Sequence, residues 1–245
     1  MYNNFAKYYD TLMRDADYAA RAEYVCSLFD EFGKRPSLLL DLACGTGGFS
    51  NEFAGRGISV IGADISEEML AVAQEKSRAQ GLDVLYLCQP AQKLDLYGTV
   101  DGAVCLIDSL NHITDYGDFC EAFVKVSLFL EKGSLFIFDM NTEYKHASVL
   151  ADNSFVIEEE NVFCVWRNEY NPEEKITDIT LDFFEKCGDG YLRSTENVRE
   201  RAYSDSEIEN ALKKAGLKLE AVLGDMSRNK PAENEQRKVF VARKI

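Results

Sequence analysis

Five apolar runs, "SLLLDLA" (37–43), "ISVIGAD" (58–64), "DVLYLCQ" (83–89), "VDGAVCLI" (100–107) and "GSLFIFDM" (133–140), are separated by stretches of helical spacing. They constrain the fold more than any other feature of the chain. Each run is apolar at nearly every position rather than every second one, the pattern of strands covered by helices on both faces. Strands alternating with helices, here from 48, over 66–80 and over 116–131, form a parallel sheet. The expected fold is therefore doubly wound α/β. The start of the second of these helices is well specified: Ser66 can cap its orphan amides, and Glu67 and Glu68 lie in the first turn, favourable against the helix dipole.

The flanks follow other rules. Residues 3–13 and 17–32 space their apolar side chains at three and four, giving two amphipathic helices ahead of the sheet that can act as a lid. From 153 to 203 apolar and polar residues alternate, and breaks at "NPEE" and "CGDG" divide the stretch into a three-stranded antiparallel insert. A helix over 204–216, capped by Ser204 and stopped by Gly216, and two strands, "LKLEAVLG" and "RKVFVARK", close the chain. With no internal repeat or Pro-rich linker, residues 1–245 read as one domain with a lid (1–35), a core (36–140), an insert (153–203) and a C-terminal element (204–245).

The first apolar run leads into "ACGTGG". Glycine is used where φ must be positive or where a ligand must approach bare backbone, and ligands of open α/β sheets sit at the carboxyl ends of the strands. A Walker loop would need GK[ST], which is missing, and the dinucleotide pattern G-x-G-x-x-G is only partly met because Ser50 takes the third glycine's place. Asp64, at the end of the second strand, can accept the two hydroxyls of a ribose. An acid before the glycines, a glycine turn and an acid ending the second strand point to a nucleoside-containing cofactor.

At these residues the chain resembles a known family. "LLLDLACGTGGFS" and "VIGADISEEMLAVAQEK" are similar to the first two motifs of class I S-adenosylmethionine-dependent methyltransferases. The likeness extends to "DGAVCLIDSLNHI" (101–113) and "YSDSEIENALKKAGLKLEAV" (203–222), and "FAKYYDTLMRDADY" is similar to the lid of the bacterial small-molecule branch. The resemblance implies a seven-stranded sheet with its last strand antiparallel. It also implies that Ala43, Gly45 and Gly47 receive the methionine half of S-adenosyl-L-methionine, with Asp41 reaching its ammonium group. Asp64 would hold the ribose, Ile65 and Met69 would pack on the adenine, and Ile107 and Tyr9 would close over the cofactor. Where the family usually carries an acid for the adenine amino group, this chain has Pro90, which offers neither a polar side chain nor an amide donor, so Gln89 or the backbone of Ala91 is left to read the base.

Methyl transfer from a sulfonium is an in-line displacement that needs alignment and dryness more than a covalent residue. A base helps if the acceptor must lose a proton, and His112 in "DSLNHI" is better placed for that than His146. Asp108 and Asn111 can hold acceptor or cofactor, and Tyr8, Trp166, Arg167 and Tyr170 are candidates to line an acceptor pocket beneath the insert, which can alternatively serve as a dimer contact. No metal is expected. With 27 basic and 42 acidic side chains, the net charge of -15 argues against a nucleic-acid partner and favours a small, basic one. No charged-then-apolar leader and no apolar stretch of membrane length occur, and seven cysteines without a CxxC read as reduced thiols, so the cytoplasm is the expected compartment. A monomer or homodimer acting on a small-molecule acceptor, at N or O, is the leading reading; an NAD-type oxidoreductase and a non-catalytic adenosine-ligand protein are the alternatives.

Overall fold

The computed structural model describes residues 3–13 and 16–245. Strands β1 (Leu38–Leu42), β2 (Ser59–Asp64), β3 (Val84–Cys88), β4 (Val100–Cys105) and β5 (Leu130–Asn141) alternate with helices α3 (Gly48–Gly55), α4 (Glu67–Ala79) and α5 (Tyr116–Phe129). Ahead of them lie α1 (Asn3–Leu12) and α2 (Tyr18–Phe32), and after them the antiparallel strands β6 (Ser154–Glu158), β7 (Val162–Asn171), β8 (Ile176–Cys187) and β9 (Gly190–Arg201). Helix α6 (Asp205–Lys214) and strands β10 (Leu217–Gly224) and β11 (Arg237–Lys244) complete the chain.

The main sheet has seven strands in the order β10-β11-β5-β4-β1-β2-β3. β1 to β5 pair in parallel, whereas β11 runs antiparallel to both β5 and β10. This is the doubly wound sheet expected from the sequence, with its strand order reversing between β1 and β4. The reversal opens a crevice at the carboxyl edge.

Neighbouring residues of one strand enter opposite cores, which explains the unbroken apolar runs. Leu40, Phe136, Phe138 and Phe240 pack with Phe119, Phe123 and Leu212 of α5 and α6 on one face, while Leu39, Ile137, Val239 and Val241 pack with Val25, Phe29 and Phe53 of α2 and α3 on the other. Each such side chain contributes about 1.5–3 kcal/mol by leaving water. The helix starts follow the sequence as well: the Ser66 hydroxyl accepts the Met69 amide at 3.2 Å, and Ser204 and Glu207 form a reciprocal capping box on α6.

The insert corrects the sequence reading. It has four strands in the order β6-β7-β8-β9, not three, because "NSFVIEEENVFCVWRNEY" is a hairpin and not one strand. The chain reverses through Glu159–Asn161, where the Glu159 amide donates to the Val162 carbonyl at 2.9 Å, so the acidic run belongs to a turn. One face of this sheet, with Val162, Cys164, Ile179, Leu181 and Phe183, is covered by Tyr8 and Leu12 of α1. The Tyr8 and Phe183 rings stack at 6.1 Å.

A wide, π-type helical turn over Lys145–Leu150, unmarked by any local pattern, carries His146 into the interior. All seven cysteines are unpaired. Among the described residues no helix is long and apolar enough to cross a membrane.

Candidate active site

The turn after β1 is built on backbone conformation. Ala43, Gly45 and Gly47 all have positive φ, of 55°, 52° and 73°. At Gly47 the reason is crowding, since a Cβ there would press on the Tyr86 hydroxyl and lie 2.9 Å from the Ala73 Cβ, so glycine lets α4 and β3 close on the turn. Gly45 is different: a Cβ would meet nothing nearer than the Tyr9 ring at 4.0 Å, so its bare backbone faces open space.

Two carboxylates flank this turn in contrasting ways. Asp64 accepts the Gly45 amide on one oxygen at 2.8 Å and the Ser66 amide on the other at 2.9 Å, tying the turn to the head of α4. Burial raises its pKa above the usual range, with these amides opposing the shift. Asp41 lies beneath, only 2% exposed, and takes a 2.6 Å hydrogen bond from Ser50. Its pKa is pushed up to about 7 by burial. The serine that spoils the dinucleotide pattern is thus the partner of Asp41.

The loop after β4 is held from behind. Ile107 and Asp108 have left-handed backbones (φ 55° and 49°), and Asp139 fixes both by accepting their amides at 2.9 and 2.7 Å. Arg237 bridges Asp108 and Asp139 at 2.8 and 3.0 Å. Burial is the largest single influence on Asp108 and would raise its pKa, but the charges of Arg237, Lys145 and His112 and the Asn141 hydrogen bond together outweigh it and keep this carboxylate below the usual range. The loop then makes a short 3-10 turn, Ser109–His112, which presents His112.

Helix α1 is clamped over the glycine turn. Asp10 accepts the Thr46 hydroxyl at 2.6 Å and pairs with Lys76 of α4 at 2.6 Å, which brings the neighbouring Tyr9 above the site. Burial, reinforced by nearby acids, raises the Tyr9 pKa, so its hydroxyl stays protonated.

Together these elements enclose a cavity of about 410 Å³ at the carboxyl edge of β1, β2 and β4. Of the residues singled out from sequence, Tyr9, Ala43, Gly45, Asp64, Ile65, Met69, Gln89, Ala91 and His112 line it. Ile65 is 65% exposed, an apolar side chain held in the open beside the cavity. Pro90 is also on the wall. The Gln89 amide group is engaged by its own loop, accepting the Asp95 amide at 2.8 Å and donating to the Asp95 carbonyl at 3.2 Å.

The other residues singled out from sequence lie off the cavity wall. Asp41, Gly47 and Ile107 shape the floor from behind without lining it. The Asp108 carboxylate accepts from Arg237 and Asn141, and its own amide donates to Asp139. Asn111 is fully buried, its side chain donating to the Arg201 carbonyl at 2.8 Å and accepting the Asn141 amide at 3.0 Å, so it joins the loop to β9 instead of meeting a ligand. Trp166 stands against Phe155 and donates to Asn168, and Tyr170 sits at the far end of β7; neither reaches the cavity. Tyr8 is spent on the insert's core, and Arg167 pairs with Asp182 at 2.7 Å.

What sequence reasoning missed is Ser109, Thr114, Asp115 and Asp118 on the wall, Val198 from the insert, and behind it Glu200. The alternation of β9 was the available signal for the last two, since Val198 and Glu200 share a face. Nothing local marked their partner loop.

Comparison with known proteins agrees with this architecture. Residues 39–133 match the model of a methyltransferase domain family. The putative methyltransferase YqeM of Bacillus subtilis (strain 168) is 32% identical over 245 residues, covering 100% of this chain and 97% of its own. An S-adenosylmethionine-dependent methyltransferase from Clostridium acetobutylicum ATCC 824, known from a crystal structure, is 33% identical with a TM-score of 0.88, over 99% of this chain and 98% of that one. The sugar N-methyltransferase KedS8 from Streptoalloteichus shares the fold, with a TM-score of 0.79 at 21% identity over 96% and 92% of the two chains. This chain belongs to the class I S-adenosylmethionine-dependent methyltransferases. It is a methyl-transferring enzyme and its cofactor is S-adenosylmethionine, not a nicotinamide dinucleotide.

Proposed function

We propose that this enzyme methylates the nitrogen of a small amine, with the cofactor lying along the glycine turn and the amine entering beside His112. The observation that carries the reading is that His112 and the Gly45–Asp64 floor line one and the same cavity of about 410 Å³. That volume falls within the range of small-molecule sites, about 300–1,000 Å³.

The residues present fit S-adenosylmethionine. Gly45 offers the open backbone that a methionine chain requires, with free space where a Cβ would otherwise stand. Asp64, with both oxygens aligned by amides, retains lone pairs for the ribose hydroxyls. Ile65 and Met69 give an apolar surface for the adenine, and with Pro90 on the wall and the Gln89 side chain occupied, the backbone at Ala91 is left to recognise its edge. Asp41, buried and bonded to Ser50, supports the turn from below.

When bound, the cofactor supplies an electrophilic methyl on a sulfonium. The protein's part is alignment, dryness and proton removal. The cavity carries the carboxylates Asp64, Asp115 and Asp118, and the chain bears a net charge of -15, so an acceptor arrives favourably as an ammonium. His112 then accepts one proton, leaving the nitrogen lone pair free to attack. The likeness to a sugar N-methyltransferase supports the nitrogen assignment, and the acidic field and the absence of a basic stripe in the sequence count against nucleic acid. The same unpaired cysteines that a reducing compartment maintains support a cytoplasmic enzyme.

The test is transfer of labelled methyl from S-adenosylmethionine to a panel of amino sugars and other small amines, with matched alcohols and phenols alongside. Product in the amine arm, with S-adenosylhomocysteine formed in equal amount, is the expected result. Turnover confined to alcohols or phenols would overturn the nitrogen assignment.

A further inference from the structure

His112 does not stand alone. Its Nε2 lies 3.7 Å from one carboxylate oxygen of Glu200, and the other oxygen lies 3.7 Å from Nε2 of His146. Glu200 comes from β9 of the insert, opposite Thr177 in the β8–β9 register, and is almost fully buried. The geometry points to Glu200 as the positioning residue for His112, a carboxylate supplied by the insert that orients the imidazole and stabilises it once it has taken the acceptor's proton. This rests on the reading of His112 as the base.

The surroundings aim Glu200 in that direction. His146 is fully buried, its Nδ1 is 2.8 Å from the Thr177 hydroxyl, and its Nε2 has no hydrogen-bond partner among the described residues. With the hydroxyl donating to Nδ1, the ring carries its hydrogen on Nε2, facing the carboxylate. Burial pushes the His146 pKa down to about 4, so this ring stays neutral and Glu200 has a single imidazole whose charge it can balance. The Asn141 amide donates to the same oxygen at 3.3 Å, itself held by Lys145 at 2.9 Å. That leaves the other oxygen for His112.

The remaining charges facing the pair are Asp108 from the loop after β4, Lys145 beyond β5 and Asp64 from β2. Asp108 is already neutralised by Arg237, and Asp64 is aligned by backbone amides. Burial raises the Glu200 pKa, an effect that the His112 charge opposes. Attachment of the insert to the same loop, through Asn111 to the Arg201 carbonyl at 2.8 Å and Arg201 to the Thr114 carbonyl at 3.2 Å, fixes the distance between the strand and the base.

In the step this serves, an ammonium N–H bond breaks and its electrons stay on nitrogen. The proton becomes the second N–H of His112, opposite Glu200, and the freed pair forms the N–C bond while the C–S pair returns to sulfur. An imidazolium forming beside a buried carboxylate is stabilised relative to one facing a neutral group.

The chain has only two histidines, which makes the test direct. Ring-labelled histidine in the untagged protein gives two sets of imidazole nitrogen signals, followed from about pH 5 to 9, a range that spans ordinary histidine titration. In Glu200→Gln the His112 signals should reach their midpoint at a pH lower by about half a unit or more, roughly a threefold change in proton affinity, with a smaller change in Glu200→Asp. An unchanged midpoint in Glu200→Gln would overturn the proposal; should that variant not fold, an unchanged midpoint in Glu200→Asp would do so. Failure of the base reading is visible separately, as methyl transfer that survives His112→Gln while the Glu200-dependent shift persists.

Discussion

The floor and the wall of the cavity are made in different ways. The floor, Ala43 to Gly45 with Asp64 to Met69, comes from two consecutive strand ends, and backbone amides and positive φ angles do most of its work. The wall around His112 is assembled from segments far apart in the chain: a loop after β4 pinned by Asp139 and Arg237, helix α1 clamped by Asp10, and strand β9 bringing Val198 and Glu200. A cofactor common to many enzymes needs only the first kind of construction. The acceptor, which distinguishes one such enzyme from another, is met by the second.

The largest effect should come from breaking the floor's backbone. Gly47→Val imposes a β-branched residue at φ 73° and drives a Cβ against Ala73 and Tyr86, costing about 4–5 kcal/mol. Thermal denaturation should show it as a fall of about 8–20 °C, and an unchanged melting temperature would mean that the turn is looser than described.

The wall should yield separately from the floor. His112→Gln is expected to lower methyl transfer to an amine by about 10²–10⁴ while leaving cofactor binding intact. Equal loss of both would merge the two regions and break the comparison.

A pH effect sharpens the picture beneath the floor. Because the Asp41 pKa is raised from 3.8 to about 7 by burial, the folded state holds this proton more tightly than the unfolded chain. The stability it brings is complete below about pH 4 and is lost as pH rises to about 7, by at most about 4 kcal/mol. Asp41→Asn should flatten that slope in urea titrations at pH 5, 6, 7 and about 8. A slope equal to that of the parent protein would show that Asp41 is ionised throughout.

The same division explains what the sequence revealed. The places of Gly45, Asp64, Ile65 and Met69 on the cavity wall were legible because they depend on neighbours in the chain and on a strand-turn-helix geometry with few variants. The five parallel strands of the main sheet were legible as apolar runs between helices, whereas the seven-stranded sheet with its antiparallel last strand came from the family resemblance. The β6–β7 hairpin escaped because its turn, Glu159–Asn161, carries no glycine or proline and reads as part of a charged strand. Asn111, Trp166 and Tyr170 were misplaced for a related reason: which face of a loop or strand meets the cavity is set by packing of the insert, not by local pattern. The alternation of β9 put Glu200 on the Val198 face, but its role was out of reach because it lies in a 3.7 Å approach to a histidine 88 positions earlier.

The central claim, that cofactor floor and acceptor wall are distinct parts of one cavity, is tested most directly by calorimetric titration of S-adenosylhomocysteine into the parent protein, Asp64→Ala and His112→Gln. The account predicts a loss of about 100-fold in affinity for Asp64→Ala, the worth of two charge-assisted hydrogen bonds to the ribose, and affinity near that of the parent for His112→Gln. Parent-like binding by Asp64→Ala, or binding lost in His112→Gln, would contradict it.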